Sequence, residues 1–501
     1  MNTIVAYLKK RVQSSPDKIF LKDEDRAWSF QDFYDEAARF STFLLNHGIQ
    51  NGDFVIIHLD KKIEHLITYI ALLNIGAISV HTYPEREDEY IEFAIKHTKA
   101  KAVISNKFAG NRLKAKVFKF VSDDTLEPTY KEDVNEIAYI MFTSGTTSSP
   151  KAVVTTQKNV IFVTKTLIEL AQMQEERERE IILLPLGSTG GLGHFHACMF
   201  LGNYARLYPG LYANLDEQSI TVFLDTIEQE KITGVLLTPG IIGKMLKTHK
   251  DKFKNSATTL KYALANVMPM KKETIKELLD LMPNLRFCTY YGSTEASRSI
   301  VNVCRENIGF EHTTGRPAKG IEIRIDNQGE IFIRGENVMT GYLHEEDTSL
   351  QDGWFQTGDI GFVDKQGYIT VLGRAKETIN LDGLKVFPHE VETIIATHKL
   401  VYDVGVSSVE TEIGADELCM AIVIDDLTNQ VKLVEEIVVM LKKHFKIDKT
   451  NLYSYKIPSR IYFVKSIPRT DLGKIKRGEL KKILSTQKDF ISTKDRCDTR
   501  V

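Results

Sequence analysis

The sequence predicts an α/β fold. It indicates a large layered N-terminal domain with parallel sheets and a β-rich subdomain, and a smaller, mobile α+β C-terminal domain. Three observations support this. Short apolar runs alternate with helical patterns up to about residue 340, as in sheets covered by helices. From about Gly320 the pattern changes to strict alternation of apolar and polar residues. The chain of 501 residues is also too long for one hydrophobic core.

The N-terminal elements are predicted from these patterns in chain order. Residues 1–10 soon become charged and are typical of an amphipathic helix, not a signal peptide. Residues 63–75 have helical spacing. Buried strands are expected at 54–58, 102–105, 117–121, 137–142, 181–185 and 234–238. Residues 321–325 and 330–334 predict an antiparallel ribbon, and β structure continues over 361–372 with a turn at 365–367.

The C-terminal part begins near residue 375. Its clearest helix is 431–445, in which apolar residues recur every three or four positions and lysines lie in the last turn. A strand is expected at 460–464. We therefore predict a domain over 1–374, a small domain over 375–485, and a flexible polar tail over 486–501.

Composition excludes several classes of protein. The net charge of −2 gives no reason to expect nucleic acid or a membrane surface as a partner. The five cysteines form no CxxC pair, so neither a disulfide framework nor a zinc site is indicated. No apolar run approaches the ~20 residues of a membrane span. The cytoplasm is the expected location.

The loop that follows the strand at 137–142 is the most informative segment. Residues 143–151 read Thr-Ser-Gly-Thr-Thr-Ser-Ser-Pro-Lys. Backbone amides and hydroxyls can donate to phosphate oxygens, and Lys151 adds a positive charge. Pro150 and Ala152 distinguish the loop from a Walker A motif. Taken alone, it could be an ordinary polar turn.

Four further segments accompany this loop: 290–295 (YYGSTE), 352–359 (DGWFQTGD), 373–383 (GRAKETINLDG) and 468–474 (PRTDLGK). Each has an ordinary structural explanation, such as a core tyrosine or a surface lysine. Their common order and spacing, with 314–317 (TGRP) and 335–342 (GENVMTGY), resemble one family over residues 10–480. It is the adenylate-forming superfamily of acyl-CoA and aryl-CoA synthetases, luciferase-like enzymes and stand-alone adenylation enzymes.

The resemblance implies a reaction in two halves. A carboxylic acid reacts with ATP to give an acyl-adenylate and pyrophosphate, and a thiol then takes the acyl group. It also implies that Tyr291 lies against adenine, Thr294 contacts the α-phosphate, Glu295 holds Mg²⁺, Asp359 binds the ribose, and Arg374 contacts ribose or phosphate. The residues expected to bind the cofactor are Thr143, Ser144, Gly145, Thr146, Thr147, Lys151, Tyr291, Gly292, Asp359 and Arg374.

The resemblance also implies that the second domain rotates between the two half-reactions. Lys474 is expected to be the catalytic lysine, acting with Glu295 and Thr294 on the developing charge. Lys376 is expected to be the hinge, and the loop around Gly383 to serve the thiol step. Coenzyme A and the phosphopantetheine of an acyl carrier protein are both open as acceptors.

The resemblance also places a substrate pocket, at Ser188, Gly190, Gly191, Asn266 and Val267. Ser188 stands where acyl-CoA synthetases often carry a histidine or aromatic residue, which weakens a fatty acyl assignment. The absence of an acid between residues 184 and 202 disfavours an α-amino acid. His194 and His196 are interpreted as core or pocket wall, since no third metal ligand is near. The phosphate loop departs from the family pattern at Ser148 and Ala152.

Three functions are considered. The first is an AMP-forming acid–thiol ligase, with a carrier-protein-loading enzyme for an unusual amino or small acid as its variant. The second is a luciferase-like oxidoreductase. The third is a non-catalytic nucleotide-binding relative, which the presence of Lys474, Glu295 and Asp359 disfavours.

Overall fold

The structure is a computed structural model of the chain. It describes residues 1–60, 62–108, 115–130, 135–143, 150–209, 216–266, 270, 272–344, 349–381, 384–410, 416–424, 429–447, 452–469 and 475–493. Within these residues, no helix is long and apolar enough to cross a membrane.

The α-helices are numbered along the chain. They are α1 (Ile4–Ser14), α2 (Phe30–Asn46), α3 (Lys62–Asn74), α4 (Asp88–Thr98), α5 (Gln157–Ala171), α6 (Thr189–Leu201), α7 (Glu217–Gln229), α8 (Pro239–Thr248), α9 (Lys250–Ser256), α10 (Lys272–Leu281), α11 (Pro388–Ile395), α12 (Gln430–His444) and α13 (Arg477–Thr486). Capping boxes begin α2 at Ser29 and α5 at Thr156. In each, the hydroxyl of the N-cap residue accepts a backbone amide of the helix, and the side chain three residues later accepts the backbone amide of the N-cap residue.

The strands are numbered in the same way. Up to residue 300 they are β1 (Ile19–Lys22), β2 (Ala27–Ser29), β3 (Phe54–His58), β4 (Ile78–His81), β5 (Ala102–Ser105), β6 (Lys116–Phe118), β7 (Ile137–Phe142), β8 (Ala152–Thr156), β9 (Arg179–Ile182), β10 (Tyr204–Leu207), β11 (Gly234–Leu237), β12 (Tyr262–Ala265) and β13 (Arg286–Tyr291). The later strands are β14 (Ile300–Val303), β15 (Arg316–Pro317), β16 (Glu322–Ile325), β17 (Glu330–Arg334), β18 (Gly341–Tyr342), β19 (Leu350–Gln351), β20 (Trp354–Val363), β21 (Ile369–Arg374), β22 (Ile379–Leu381), β23 (Leu384–Val386), β24 (Asp403–Glu410), β25 (Asp416–Val423), β26 (Arg460–Phe463) and β27 (Ile491–Ser492).

Two mostly parallel sheets form the N-terminal layers. Among the described strands, seven lie in the order β18-β8-β7-β4-β3-β5-β6 and nine in the order β15-β14-β13-β12-β11-β9-β10-β1-β2. The central pairs of both sheets are parallel, and antiparallel pairs occur towards the edges, as at β7–β8 and β13–β14. Ligands of such sheets bind at the carboxyl ends of the strands.

Helix α6 lies in the core between the two sheets. It is buried along nearly its whole length, which its glycine-rich, apolar sequence allows. Its Leu192 and Phe195 belong to a core cluster that also contains Ile57 and Met141 of one sheet and Ile182 of the other. Helix α6 is therefore fixed by packing against both sheets.

The β-rich part follows the nine-stranded sheet. Described strands β16, β17, β20 and β19 pair in that order, and β21 joins β20, all antiparallel. The predicted ribbon is confirmed here, since strand β17 has the bounds expected for it and β16 begins one residue later. The α/β class with parallel sheets and a β-rich region is likewise confirmed.

The C-terminal part has its own hydrophobic clusters. Strands β24, β25, β26 and β27 form a sheet, and α11 and α12 contribute to the cluster that covers it. The prediction of a loosely held tail from residue 486 is wrong for residues 491–493. Strand β27 pairs with β26, and the buried Thr493 donates its hydroxyl to the Pro458 carbonyl at 2.7 Å. Backbone pairing outweighs the polar composition that suggested a tail.

Two predicted strands end earlier than expected. Strand β9 ends at Ile182 instead of residue 185. There the Lys62 ammonium donates hydrogen bonds to the carbonyl oxygens of Ile182 and Leu183 at 2.8 and 2.9 Å. Pro185 has no amide to extend the ladder. Strand β6 ends at Phe118 instead of residue 121, since its one described neighbour, β5, ends opposite it.

Candidate active site

The predicted phosphate loop joins strands β7 and β8. The two strands pair up to Phe142 and Ala152, so residues 143–151 close a hairpin. At its base the Thr143 amide donates to the Lys151 carbonyl at 2.9 Å, and the Lys151 amide donates to Thr143 Oγ1 at 3.2 Å. The loop therefore leaves a buried strand, as predicted. Ser144, Gly145, Thr146, Thr147 and Ser148 lie outside the described residues, and their phosphate contacts stay a prediction.

Tyr342 contacts both Lys151 and Glu295. The Lys151 ammonium lies 4.3 Å from the centre of the Tyr342 ring, and the Tyr342 hydroxyl donates to Glu295 Oε1 at 3.0 Å. Tyr342 reaches this place because β18 pairs with β8, directly after the loop. A cation and a carboxylate are thereby held on either side of one side chain.

The segment after β13 turns sharply at Gly292. A Cβ atom there would lie 2.5 Å from the Arg298 amide nitrogen, so only glycine lets the chain fold back. The Ser293 amide donates to the Ala296 carbonyl, and the Ala296 amide donates to Ser293 Oγ, both at 3.2 Å. This loop places Thr294 on the wall of a cavity and leaves Glu295 beside Tyr342.

Tyr291, Asp359 and Arg374 form a connected group. The Tyr291 hydroxyl donates to Asp359 Oδ2, and Arg374 Nε lies 3.0 Å from Asp359 Oδ1. Asp359 and Arg374 are register partners on β20 and β21. Burial and the adjoining carboxylate raise the pKa of Tyr291 well above its ordinary value, so the phenol stays protonated and donates. The structure thus brings together three of the residues predicted to contact the nucleoside.

The predicted metal ligand fits a hard cation. Glu295 offers carboxylate oxygens, the ligand type that Mg²⁺ prefers, and one of them already accepts a bond from Tyr342. Across the described ranges, no group of three or more His, Cys, Asp or Glu side chains could hold a metal by itself. Mg²⁺ binds through one or two carboxylates together with substrate phosphates and water, and the role of Glu295 as its ligand stays a prediction.

The predicted pocket residues at the start of α6 have structural roles. Ser188 is the N-cap of α6, where its hydroxyl accepts the Gly191 amide at 3.3 Å and donates to the Pro185 carbonyl at 2.7 Å. A Cβ atom at Gly190 would lie 2.6 Å from Leu184, and one at Gly191 would overlap Pro185. These three positions are not among the described residues that line the cavity.

The neighbouring residues of α6 form the pocket wall. Thr189, Gly193 and His196 line the cavity, one turn apart on one face of the helix. The assignment of the substrate pocket to Ser188, Gly190 and Gly191 stays a prediction, and Thr189, Gly193 and His196 are further candidates on the same helix. A linear match identifies the segment, but the helix phase decides which side chains face the cavity.

Asn266 directly follows β12 and is not among the described residues that line the cavity. Its side-chain amide donates to the Tyr290 hydroxyl at 2.8 Å. Val267 lies outside the described residues. His194 is buried against Glu180, with 2.6 Å between Nδ1 and Oε2, and is a core residue as the sequence suggested.

Lys376 lies exposed in a short 3₁₀ helix, Ala375–Glu377, that follows β21. Its neighbour Glu377 accepts a bond at 2.8 Å from Arg477 Nε, and Arg477 begins α13. The segment next to the predicted hinge is thus tied to the helix that follows the predicted catalytic lysine. Lys474 and Gly383 lie outside the described residues, and their roles stay predictions.

Sequence reasoning did not assign a role to several site residues. Tyr342 ends the motif at residues 335–342, and its aromatic ring was the feature that could have indicated a role in the site. Arg298 lies three residues after Glu295, and Asn337 lies in the same motif as Tyr342. Both line the cavity beside Thr294. Only the backbone reversal at Gly292 turns Arg298 towards it.

Comparison with known sequences identifies both parts of the chain. The family described as AMP-binding enzyme matches residues 8–343, and the AMP-binding enzyme C-terminal domain matches residues 390–474. The 2-succinylbenzoate–CoA ligase of Listeria monocytogenes serotype 4b (strain F2365) is 26% identical over 489 residues, covering 95% of this chain and 98% of that protein. The medium-chain fatty-acid–CoA ligase of Escherichia coli (strain K12) is 24% identical and covers 96% and 90%, respectively.

Solved structures share the fold. The o-succinylbenzoate CoA synthetase of Bacillus subtilis in complex with its acyl-adenylate intermediate superposes with a TM-score of 0.81 at 23% identity, covering 95% of this chain and 97% of that one. An anthranilate CoA ligase in complex with anthranoyl-AMP has a TM-score of 0.84 at 21% identity, with coverages of 96% and 97%. Since the family match spans well over half of the sequence, the chain belongs to the family of AMP-binding enzymes.

Proposed function

We propose that this protein is an AMP-forming acid–thiol ligase that activates a small carboxylic acid with ATP and transfers it to coenzyme A. The observation that carries the proposal is the joining of Tyr291, Asp359 and Arg374, beside Glu295, Tyr342 and Lys151. These groups come from separate segments, contact one another, and are the residues expected to bind the nucleotide in this chemistry. Related CoA ligases match nearly the whole chain.

In the first half-reaction, a carboxylate oxygen of the acid attacks the α-phosphorus of ATP, and the bond to pyrophosphate breaks. Lys151, with the loop at 143–149, neutralises the outer phosphates. Thr294 donates to the α-phosphate, while Asp359 accepts the ribose hydroxyls. Glu295 would hold Mg²⁺, which when bound neutralises phosphate charge. Lys474 stabilises the charge that develops between acid and phosphorus.

In the second half-reaction, the thiolate sulfur attacks the acyl carbonyl and AMP leaves. We propose that residues 375–485 rotate about Lys376 between the two steps, withdrawing Lys474 and bringing the loop at Gly383 to the site. The link from Arg477 to Glu377 supports this, because it couples the lysine-bearing segment to the hinge.

Coenzyme A is the proposed acceptor because the related ligases are named for it. Their names refer to acids as different as 2-succinylbenzoate and medium-chain fatty acids, so they do not define the acid used here. The phosphopantetheine thiol of a carrier protein is the alternative acceptor, because it would react with the acyl-adenylate in the same way.

The test is ATP-dependent hydroxamate and thioester formation with a panel of acids. We expect pyrophosphate release that depends on acid and Mg²⁺, and an acyl-CoA product by mass spectrometry. Product with holo carrier protein in place of coenzyme A would overturn the choice of acceptor. No pyrophosphate release with any acid would contradict the proposed function.

A further inference from the structure

A cavity lies beside Thr294, the residue predicted to contact the α-phosphate. Its wall includes the polar side chains of Thr189, His196, Thr294, Arg298 and Asn337. The free volume is about 20 Å³, roughly the space of one water molecule. A long hydrocarbon chain needs a large apolar pocket. The described wall suits a small polar group instead.

Arg298 is the exceptional member of this wall. The residue is 1% exposed, and its guanidinium meets the neutral phenol of Tyr290 but no close hydrogen-bond acceptor among the described residues. No ion pair among the described residues includes it. A buried charge without a partner costs several kcal/mol, so such a group is expected to meet an opposite charge at some stage of the protein's work.

The fold holds this guanidinium in place. Arg298 has φ of 53°, in the left-handed region that non-glycine residues rarely adopt. The Asn337 side-chain amide fixes the residues on both sides, donating to the Ser297 carbonyl at 3.1 Å and to Ser299 Oγ at 2.8 Å. A methyl group at Gly193 would overlap the guanidinium. Strained backbone supported in this way is a feature of functional sites.

The titratable groups around Arg298 supply no negative charge. Burial raises the pKa of Tyr139 to about 12, and burial also raises the pKa of Tyr290. Burial together with Arg298 lowers the pKa of His196 to about 3, so all three rings are neutral near pH 7. Arg298 lies 5.3 Å from the centre of the Tyr290 ring. The missing anion must therefore come from outside the described protein.

We propose that Arg298 binds a second carboxylate of the substrate, and that this enzyme activates a small dicarboxylic acid. The inference rests on the proposed function. One carboxylate reacts at the α-phosphate beside Thr294, and an oxygen of the other takes the water-sized space and accepts hydrogen bonds from the guanidinium. The neutral histidine and the hydroxyls of the wall complete its hydrogen bonds. The adenylate phosphate is the competing anion, and the test distinguishes it.

The experiment compares matched diacids and monoacids of equal chain length. Hydroxamate formation is measured with succinate, glutarate and phthalate against butyrate, pentanoate and benzoate. We expect kcat/KM for the best diacid to exceed that of its monoacid partner by about 100-fold, because a buried charge pair contributes that much discrimination. Equal or better use of the monoacids would overturn the inference.

Variants assign the effect to Arg298. Arg298→Met should lower kcat/KM for diacids by about 100-fold and leave monoacids within a few-fold. Arg298→Lys should restore part of the diacid preference. Arg324→Met, an exposed arginine on β16, is the matched control and should change neither. An equal loss for both classes in Arg298→Met would place the guanidinium on the adenylate phosphate and refute the inference.

The wild-type comparison stands if Arg298→Met does not fold. Different results would contradict the diacid specificity and the ligase activity. Turnover of monoacids alone contradicts the diacid inference and leaves the ligase function intact. The absence of ATP-dependent turnover with every acid contradicts both.

Discussion

The link between Glu392 and Arg477 yields the prediction with the clearest magnitude. Arg477 Nη1 and Nη2 donate to the two carboxylate oxygens of Glu392 at 2.6 and 3.0 Å. Glu392 Oε1 also accepts the Val406 amide at 2.8 Å, so the pair joins α11, β24 and α13. The Glu392 side chain is 8% exposed. The perturbation is Glu392→Gln, which keeps the shape and removes the charge.

The pKa of Glu392 gives the size of the effect. Burial by itself would raise this pKa, but the Arg477 guanidinium and His389 lower it from 4.5 to about 2. This difference corresponds to about 3 kcal/mol of stabilisation of the folded state. Loss of one partner of a buried pair costs a similar ~3–5 kcal/mol, and Glu377 still compensates part of the Arg477 charge. We therefore expect Glu392→Gln to destabilise the C-terminal part by about 3 kcal/mol at pH 7.

The pH dependence has a definite sign. The carboxyl pKa is lower in the folded than in the unfolded state, so its stabilisation is complete above the unfolded value of 4.5. It is lost as the pH falls from about 4.5 to about 2. Glu392→Gln should lack this component of acid destabilisation.

Hydrogen exchange is the suitable assay. Both tryptophans, Trp28 and Trp354, precede residue 375, so their fluorescence reports on the larger part of the chain. Exchange of peptides from β24 reports directly on the region of the Val406 amide. A loss of 3 kcal/mol should accelerate their exchange by about 100-fold where exchange follows the opening equilibrium.

The matched control is Glu479→Gln. Glu479 pairs with Lys476 on the same helix surface at 3.2 Å, but its side chain is 56% exposed. Such surface pairs contribute about 0–1 kcal/mol, so β24 should keep its protection. Equal protection of β24 in both variants at pH 7 would show that the buried pair does not stabilise the domain as reasoned.

Four further changes test the site. Lys474→Ala should lower adenylate formation by about 10²–10³-fold or more while ATP still binds, and normal pyrophosphate exchange would refute its role. Lys376→Pro should leave adenylation measurable and greatly reduce thioester formation; equal losses in single-turnover assays would exclude a hinge. Asp359→Asn should raise the KM for ATP by about 10–100-fold, because a charged hydrogen-bond partner is lost, and an unchanged KM would argue against ribose binding. Tyr342→Phe keeps the ring beside Lys151 but removes the donor to Glu295; we expect adenylation to slow by about 5–10-fold, and identical rates across a Mg²⁺ titration would contradict a role for that bond.

The motifs show why much of the site was predictable. Tyr291, Glu295, Asp359 and Arg374 lie in short segments whose residue types suit nucleotide chemistry, and they occur in one recognisable order. Their identities follow from local sequence. Their pairing does not: the Asp359 bond to Tyr291 spans 68 residues, and the Tyr342 bond to Glu295 spans 47.

The prediction was weakest where helix phase or backbone reversal decides. Ser188, Gly190 and Gly191 lie in the right segment, yet capping and close packing use them, and the next residues face the cavity. Arg298 had no signal of its own in the sequence. Its importance depends on Gly193, which lies 105 positions earlier and leaves room for the guanidinium.

The sequence by itself determined the fold class and the family and predicted the segments that bind the nucleotide, because these depend on local patterns and on motifs a few residues long. Only the tertiary structure decided what the pocket can accept. Within the described part of the chain, no carboxylate pairs with the buried Arg298, and that property belongs to the packed core and not to any one segment of the sequence.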